Sequence, residues 1–163
     1  AKNGFSMSNR VVPEELNASK TLTDADCGKV YVIETTAADI TLSLPSLASV
    51  GNGWNIKVQT VADPTNAKTV VISSEDSAAI YGGVNMSVIS GVLGDNPANK
   101  YFKGAAATNV TMVSGTDAGI QGKGHIGSYM KFTACVMSDF TNVWAVEGRL
   151  AMSGTGGNVT PFA

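Results

Sequence analysis

Short runs in which apolar and polar residues alternate are the feature that most constrains how this chain folds. In the run 40–45, Ile-Thr-Leu-Ser-Leu-Pro, the three large apolar side chains fall on one face of a strand and the proline ends it. Turn residues separate such runs roughly every eight to twelve positions, and no window shows the 3.6-residue apolar period of a helix. The chain is therefore predicted to be all-β, as an antiparallel β-sandwich or a jelly-roll-like fold. The predicted strands cover 29–33, 40–45, 54–59, 69–73, 109–113, 129–137 and 142–147.

The middle of the chain has a weaker pattern. Two short strands are predicted at 81–84 and 87–90, around glycine-rich turns, and the order of the strands between 75 and 127 stays open. The glycine-rich stretch 115–127 and the tail after Gly154 are predicted to be loops.

The first twenty residues differ from the rest of the chain, because most of them are small and polar and few are apolar. Pro13 followed by Glu14 and Glu15 is compatible with one helical turn. We predict an extended N-terminal arm over 1–20 and a single β-sandwich domain over 21–163. The alternative is an ordinary frayed terminus.

Charged residues make up only 15% of the 163 residues, against the usual roughly 25%, and hydroxyl and amide residues take their place. Such a surface suits close packing against neighbours, because burying a hydroxyl costs less than burying an ion. The same composition also occurs in β proteins that have no partner. The net charge is −2 and the eleven lysines and arginines are dispersed along the sequence, which predicts no nucleic-acid binding. No apolar run approaches the roughly 18 residues of a membrane helix, and we expect no membrane association.

Catalytic signatures are sparse. The one histidine, His125, lies in the segment 122–127, Gly-Lys-Gly-His-Ile-Gly, which matches a dinucleotide-binding pattern. That pattern should open a helix, whereas here it precedes the strand 129–137, so we interpret the match as accidental and His125 as a solvated or interface residue. We predict no enzymatic activity, no cofactor and no metal site.

Three other groups of residues have a structural interpretation. Cys27 and Cys135 are far apart and match no metal or redox spacing, so two free thiols are predicted, with a disulfide left open. Asp24 and Asp26 are expected to cap the turn before Gly28 rather than to bind calcium. The two tryptophans, Trp54 and Trp144, fall on the apolar phase of strands and are predicted to be core residues rather than sugar platforms.

Two segments near the chain ends resemble a recurring pattern in virion proteins of tailed bacteriophages. The first runs from Thr21 to Ile33, continues over Ile40 to Pro45 and ends with Gly53 to Val58. The second is the strand that starts at Gly127-Ser-Tyr, followed by Asn-Val-Trp-Ala-Val-Glu-Gly at 142–148. The chain is thus similar to capsid decoration (cement) proteins, which share these motifs with tail-fibre modules.

The resemblance implies a structural subunit that binds the exterior of the capsid, after assembly in the host cytoplasm, and bridges subunits of the major capsid protein. It further implies a homotrimer, in which three weak footprints reinforce one another. The arm is then expected to dock on the capsid. The predicted capsid contacts are Phe5, Met7, Arg10, Val11 and Val12.

Two alternatives remain. A tail or receptor-binding module would bind a cell-surface glycan in a shallow groove lined by aromatic residues. A small glycosidase or lyase would need carboxylates that converge beside an exposed tryptophan.

Overall fold

The computed structural model describes residues 11–34, 38–62, 69–90, 99–114, 124–136, 141–153 and 161–163. These ranges contain eleven strands and two short 3-10 turns, at Asp24–Asp26 and Leu47–Ser49. The strands are β1 (Glu14–Glu15), β2 (Lys20–Thr21), β3 (Val30–Ile33), β4 (Ile40–Leu44), β5 (Asn55–Thr60), β6 (Thr69–Ser74), β7 (Ile80–Ser90), β8 (Asn99–Ala107), β9 (Asn109–Ser114), β10 (Tyr129–Cys135) and β11 (Val143–Ser153).

The strands form two sheets around a shared apolar core, so the predicted all-β sandwich is confirmed. The larger sheet has seven strands in the order β1-β3-β5-β10-β11-β7-β8. The smaller sheet has four, in the order β2-β4-β6-β9. Among the described residues, no helix is long and apolar enough to cross a membrane.

Pairing within both sheets is mixed, which corrects the prediction of a purely antiparallel or jelly-roll-like arrangement. β1, β3 and β5 run parallel in the larger sheet, and β2, β4 and β6 run parallel in the smaller one. The cause is that the chain passes to the other sheet after each of its first five strands. A strand therefore pairs with the strand two places later in the chain, after one full turn around the sandwich, and the two run in the same direction. A jelly roll, by contrast, is built from antiparallel Greek keys. Antiparallel pairing appears in β5-β10-β11, β7-β8 and β6-β9.

The core consists of the inward side chains of both sheets, as the alternating pattern predicts. Burial alternates along β5 and β6, and Trp54 and Trp144 are both buried. Their rings meet edge to face, with centroids 5.4 Å apart. The indole N–H of Trp54 donates to the carbonyl oxygen of Asp24 at 3.1 Å. The prediction that both tryptophans are core residues is therefore confirmed.

Part of the segment predicted as an arm belongs to the sandwich. Glu14 and Glu15 form β1 rather than a helical turn, because the edge of β3 offers them hydrogen bonds while a lone helical turn is marginal in water. Leu16 is buried in the core, and its N–H donates to the carbonyl of Val32 at 2.8 Å. Within the described part of 1–20, residues 11–13 are the stretch that precedes the first strand.

The second half of the chain forms longer strands than its pattern predicts. The two short strands at 81–84 and 87–90 are one strand, β7, and β11 continues well past the predicted end at 147. The reason is that β7 and β11 pair with each other from Trp144 to Ser153. At the C-terminus, Phe162 bridges to Val110, so the end of the predicted loop is held against β9.

Candidate functional site

The outer side of the larger sheet brings together cations that are dispersed in the sequence. Four strands of this sheet each supply one of them at an outward position, and three of its strands supply an exposed tyrosine. We call this set the basic face. Its members are Lys57, Lys103, Lys131, Arg149, Tyr81, Tyr101 and Tyr129.

The strand register arranges most of the basic face in two adjacent rows. One row runs across the sheet as Gln59, Tyr129, Arg149, Asn85 and Tyr101. The next row runs as Lys57, Lys131, Glu147, Gly83 and Lys103. From β5 to β8 these rows span four strand spacings of about 4.8 Å each, or roughly 19 Å.

Two lysines face each other directly in the second row. Lys57 on β5 pairs in antiparallel register with Lys131 on β10. Lys131 also reaches Glu147 in an exposed ion pair at 3.8 Å, and the ammonium group of Lys57 lies 5.2 Å from the ring centroid of Tyr129. Like charges directly opposite each other on a sheet are destabilising, so the pairing of Lys57 with Lys131 lowers the stability of the fold.

Glycine at position 83 shapes the same face. A Cβ atom there would come within 2.0 Å of the hydroxyl oxygen of Tyr101, so only glycine leaves room for that side chain against the sheet. Tyr101 remains 64% exposed. The side chain of Tyr101 therefore lies against the sheet at Gly83 and exposes its other side to solvent.

A shallow groove of about 390 Å³ opens at one end of the basic face. Its lining combines two members of that face, Lys57 and Tyr129, with Gln59 and two apolar side chains. The apolar residues Val61 and Ile126 are 41% and 55% exposed. The groove thus places aliphatic surface next to positive charge.

The smaller sheet has an outer side of the opposite character. Its outward strand positions carry hydroxyl, amide and aliphatic side chains and no charge among the described residues. We call this set the hydroxyl face. Its members are Thr21, Thr41, Ser43, Thr69, Val71, Ser73, Asn109 and Thr111. Register places Thr41, Val71 and Thr111 in one row across its centre.

A cluster of charges joins the start of the chain to β3, and Asp26 is its centre. The Asp26 carboxylate accepts hydrogen bonds from the ammonium group of Lys29 at 2.7 Å, from the hydroxyl of Tyr31 at 2.8 Å and from the N–H of Thr23 at 2.8 Å. Glu14 on β1 forms ion pairs with Lys20 and Lys29. The prediction that the two aspartates cap this turn is confirmed for Asp26, whereas the exposed Asp24 contributes its backbone carbonyl rather than its side chain. The ion pairs were not foreseen.

These contacts change the acidity of the groups involved. Burial alone would raise the pKa of Asp26, but the hydrogen bonds from Lys29, Thr23 and Tyr31 outweigh it and hold that pKa far below its usual range. Burial and the nearby Asp26 carboxylate raise the pKa of Tyr31 above its ordinary value. The Asp26 carboxylate therefore stays ionised and Tyr31 stays a neutral hydrogen-bond donor, and these contacts stabilise the fold rather than form an open site.

The predicted site residues lie in different environments. Val11 and Val12 are 53% and 75% exposed, just ahead of β1, whereas Phe5, Met7 and Arg10 lie outside the described residues. His125 was expected to be solvated or at an interface, and it is instead buried. Its backbone N–H donates to the backbone carbonyl of Ala151 and holds this stretch against β11. Cys27 and Cys135 are free thiols, as predicted. In the described part of the chain, no three His, Cys, Asp or Glu residues are grouped as metal ligands would be.

Comparison with known proteins does not extend this picture. No protein-family model, no curated protein and no solved structure matches the chain. The basic face, the groove and the hydroxyl face are consequently interpreted from their own chemistry. None of the three was predicted from the sequence, since each is assembled from residues on several strands.

Proposed function

We propose that this chain is a structural virion protein that binds the outside of a tailed-phage capsid and stabilises the shell by bridging subunits of the major capsid protein. The sequence resemblance to capsid decoration proteins motivates the proposal. The observation that carries it is the exposed pair Val11 and Val12 directly ahead of β1, which is the last strand at one edge of the larger sheet.

An edge strand of this kind supports docking in two ways. Its outer backbone groups can pair with a strand of another protein, which supplies affinity without a preformed pocket. Exposed valines beside it lose contact with water on docking, and each gains the burial energy of an aliphatic side chain. One such contact holds one capsid subunit, and bridging of subunits then requires several linked copies, as in the proposed trimer.

Charges placed on the two valines should weaken capsid binding. We expect the double variant Val11→Asp/Val12→Asp to bind purified shells at least about tenfold more weakly, because two apolar anchors are lost. Co-sedimentation of the protein with shells that lack it measures the effect. The variant Ala38→Asp/Ala48→Asp is the control, since both alanines are exposed and lie away from β1. Equal binding by wild type and the valine variant would refute docking through this segment.

The protein is proposed to be a homotrimer, and the hydroxyl face is the surface we assign to contacts between copies. Among the described residues its outward strand positions carry no charge, and the nearby Asp39 carboxylate lies at one end of the face, where it accepts from the N–H and the hydroxyl of Thr69. A second copy can therefore cover the central row without dehydrating an ion. Avidity from three linked footprints then increases the affinity for the shell.

A charge at the centre of the hydroxyl face should dissociate the trimer. We expect wild-type protein to sediment as a trimer and Val71→Lys as a monomer with an unchanged circular dichroism spectrum. Ala48→Lys, which adds the same charge at an exposed position of the 3-10 turn Leu47–Ser49, should remain trimeric. A wild-type protein that is monomeric at high concentration contradicts the trimer, and a trimeric Val71→Lys variant places its interface elsewhere.

A second candidate function is a glycan-binding module of the virion tail. The groove favours it, because Tyr129 offers an aromatic surface beside the amide of Gln59. Glycan binding that is lost in Tyr129→Ala, combined with no affinity for shells, would select this function over the first.

A further inference from the structure

We infer that the basic face binds an acidic protein surface in which aliphatic side chains accompany the carboxylates. This inference rests on the proposed function only in naming the capsid as the protein that carries that surface. The chemistry of the partner follows from the charge, the strand register and the composition of the groove.

Charge is distributed unevenly over the molecule. The whole chain has a net charge of −2, yet among the residues that the structure describes, the outward strand positions of the larger sheet hold four cations against two anions, Glu15 and Glu147. Positive charge is thus concentrated on one side of a molecule of the opposite overall sign. Such a surface selects anionic partners and repels cationic ones, and it steers their encounter.

Strand register supplies an independent observation. Lys57 and Lys131 lie directly opposite each other on the same side of the sheet, at a cost to folding stability. The exposed pair between Lys131 and Glu147 offsets little of this cost. The contact of the Lys57 ammonium group with the ring of Tyr129 is likewise exposed and weak. Local arrangements that oppose stability are expected mainly at functional sites. A carboxylate placed between the two ammonium groups would remove the repulsion.

The groove and the tyrosines favour a protein over an acidic polysaccharide. Exposed Val61 and Ile126 adjoin Lys57, and a partner that covers all three must present aliphatic groups and negative charge together. Acidic polysaccharides carry no aliphatic side chains, whereas acidic protein segments do. The three tyrosines lie on β10, β7 and β8, which span three strand spacings or roughly 14 Å, and they also match the composition of protein interfaces.

The test uses a soluble acidic peptide in which leucines are interspersed among glutamates. We expect wild-type protein to bind it with an affinity that falls as salt is added, and Lys57→Gln/Lys131→Gln to bind about fivefold more weakly, the loss expected for two exposed charge contacts. That variant should unfold at an equal or higher denaturant concentration, because the cross-strand repulsion is gone. Weaker binding therefore cannot be attributed to unfolding.

Two controls complete the design. Ala38→Glu/Ala48→Glu changes the net charge by the same amount at exposed positions off the basic face, and it should keep its affinity within about twofold. The same peptide with serine in place of leucine should bind more weakly than the parent peptide. If it binds equally well, the aliphatic part of the inference is wrong.

Other outcomes overturn the inference as a whole. No peptide binding, an unaffected lysine variant, or equal losses in both charge variants would each do so. Polygalacturonate bound more tightly than the peptide would assign the face to glycans instead. Shell binding that fails while peptide binding holds would refute the capsid as partner and leave the acidic partner standing.

Discussion

Replacing Asp26 by alanine should destabilise the folded protein by about 3 kcal/mol, because it removes the acceptor shared by Lys29, Tyr31 and Thr23. The hydroxyl of Tyr31 and the N–H of Thr23 would lose their acceptor, and the ammonium group of Lys29 would lose its closest partner. Urea unfolding at pH 7 measures the effect.

Asp24→Ala is the matched control for this variant. Asp24 lies in the same 3-10 turn but is exposed, so its replacement should change the free energy of unfolding by no more than about 0.5 kcal/mol. Equal losses in the two variants would show that the turn, rather than the Asp26 carboxylate, holds the cluster together.

The same carboxylate predicts a pH dependence. The folded-state pKa of Asp26 lies well below the ordinary value of 3.8, so its contribution to stability is fully present above that value. As the pH falls below it, the unfolded chain takes up a proton that the folded chain does not, and the contribution is progressively lost. Asp26→Asn should flatten this decline between pH 5 and pH 3 only in part, because Glu14 and Asp76 also have lowered pKa values. A decline identical to that of wild type would contradict the assignment.

Replacing Gly82 by alanine should be at least as damaging, with an expected loss of about 3–5 kcal/mol from backbone strain and overpacking combined. Gly82 has a φ of +133°, and a Cβ there would come within 2.0 Å of the carbonyl oxygen of Val146 on the paired strand. The clash is with backbone, so β7 and β11 would have to separate within the larger sheet.

Gly28→Ala separates the two causes. Gly28 also has a positive φ, of +76°, but nothing lies within 4 Å of the Cβ it would gain. Its replacement should cost only about 1–2 kcal/mol, which is the strain of a left-handed backbone alone. Thermal or urea unfolding of both variants gives the comparison. A Gly82→Ala variant as stable as Gly28→Ala would show that the close approach of β7 to β11 is not as described.

Much of the fold could be predicted because a short strand is recognisable from the alternation of apolar and polar residues within it. Alternation over 40–45 and 54–59 matches β4 and β5, and the core positions of both tryptophans follow from the same periodicity. The strand partners could not be predicted. Glu15 pairs with Val32, whereas Tyr31 pairs with Val58, so successive coils differ in length and leave no repeat in the sequence.

The candidate site was hidden for a related reason. Lys57, Lys131 and Lys103 are far apart in the sequence and come to share one row only through the register of five strands. A weak signal was present, since each lysine occupies the polar phase of its own strand. The residues of a single strand, however, do not indicate which other strands lie beside it.

The sequence by itself determined the class of fold, the inward face of most strands and the capping role of Asp26, because all three depend on residues within a few positions of one another. The tertiary structure alone decided the parallel pairing, the length of β7 and β11, the burial of His125 and the gathering of cations on one side. Those properties depend on contacts between distant segments, where backbone hydrogen bonds and the shared core, rather than local pattern, select the partner.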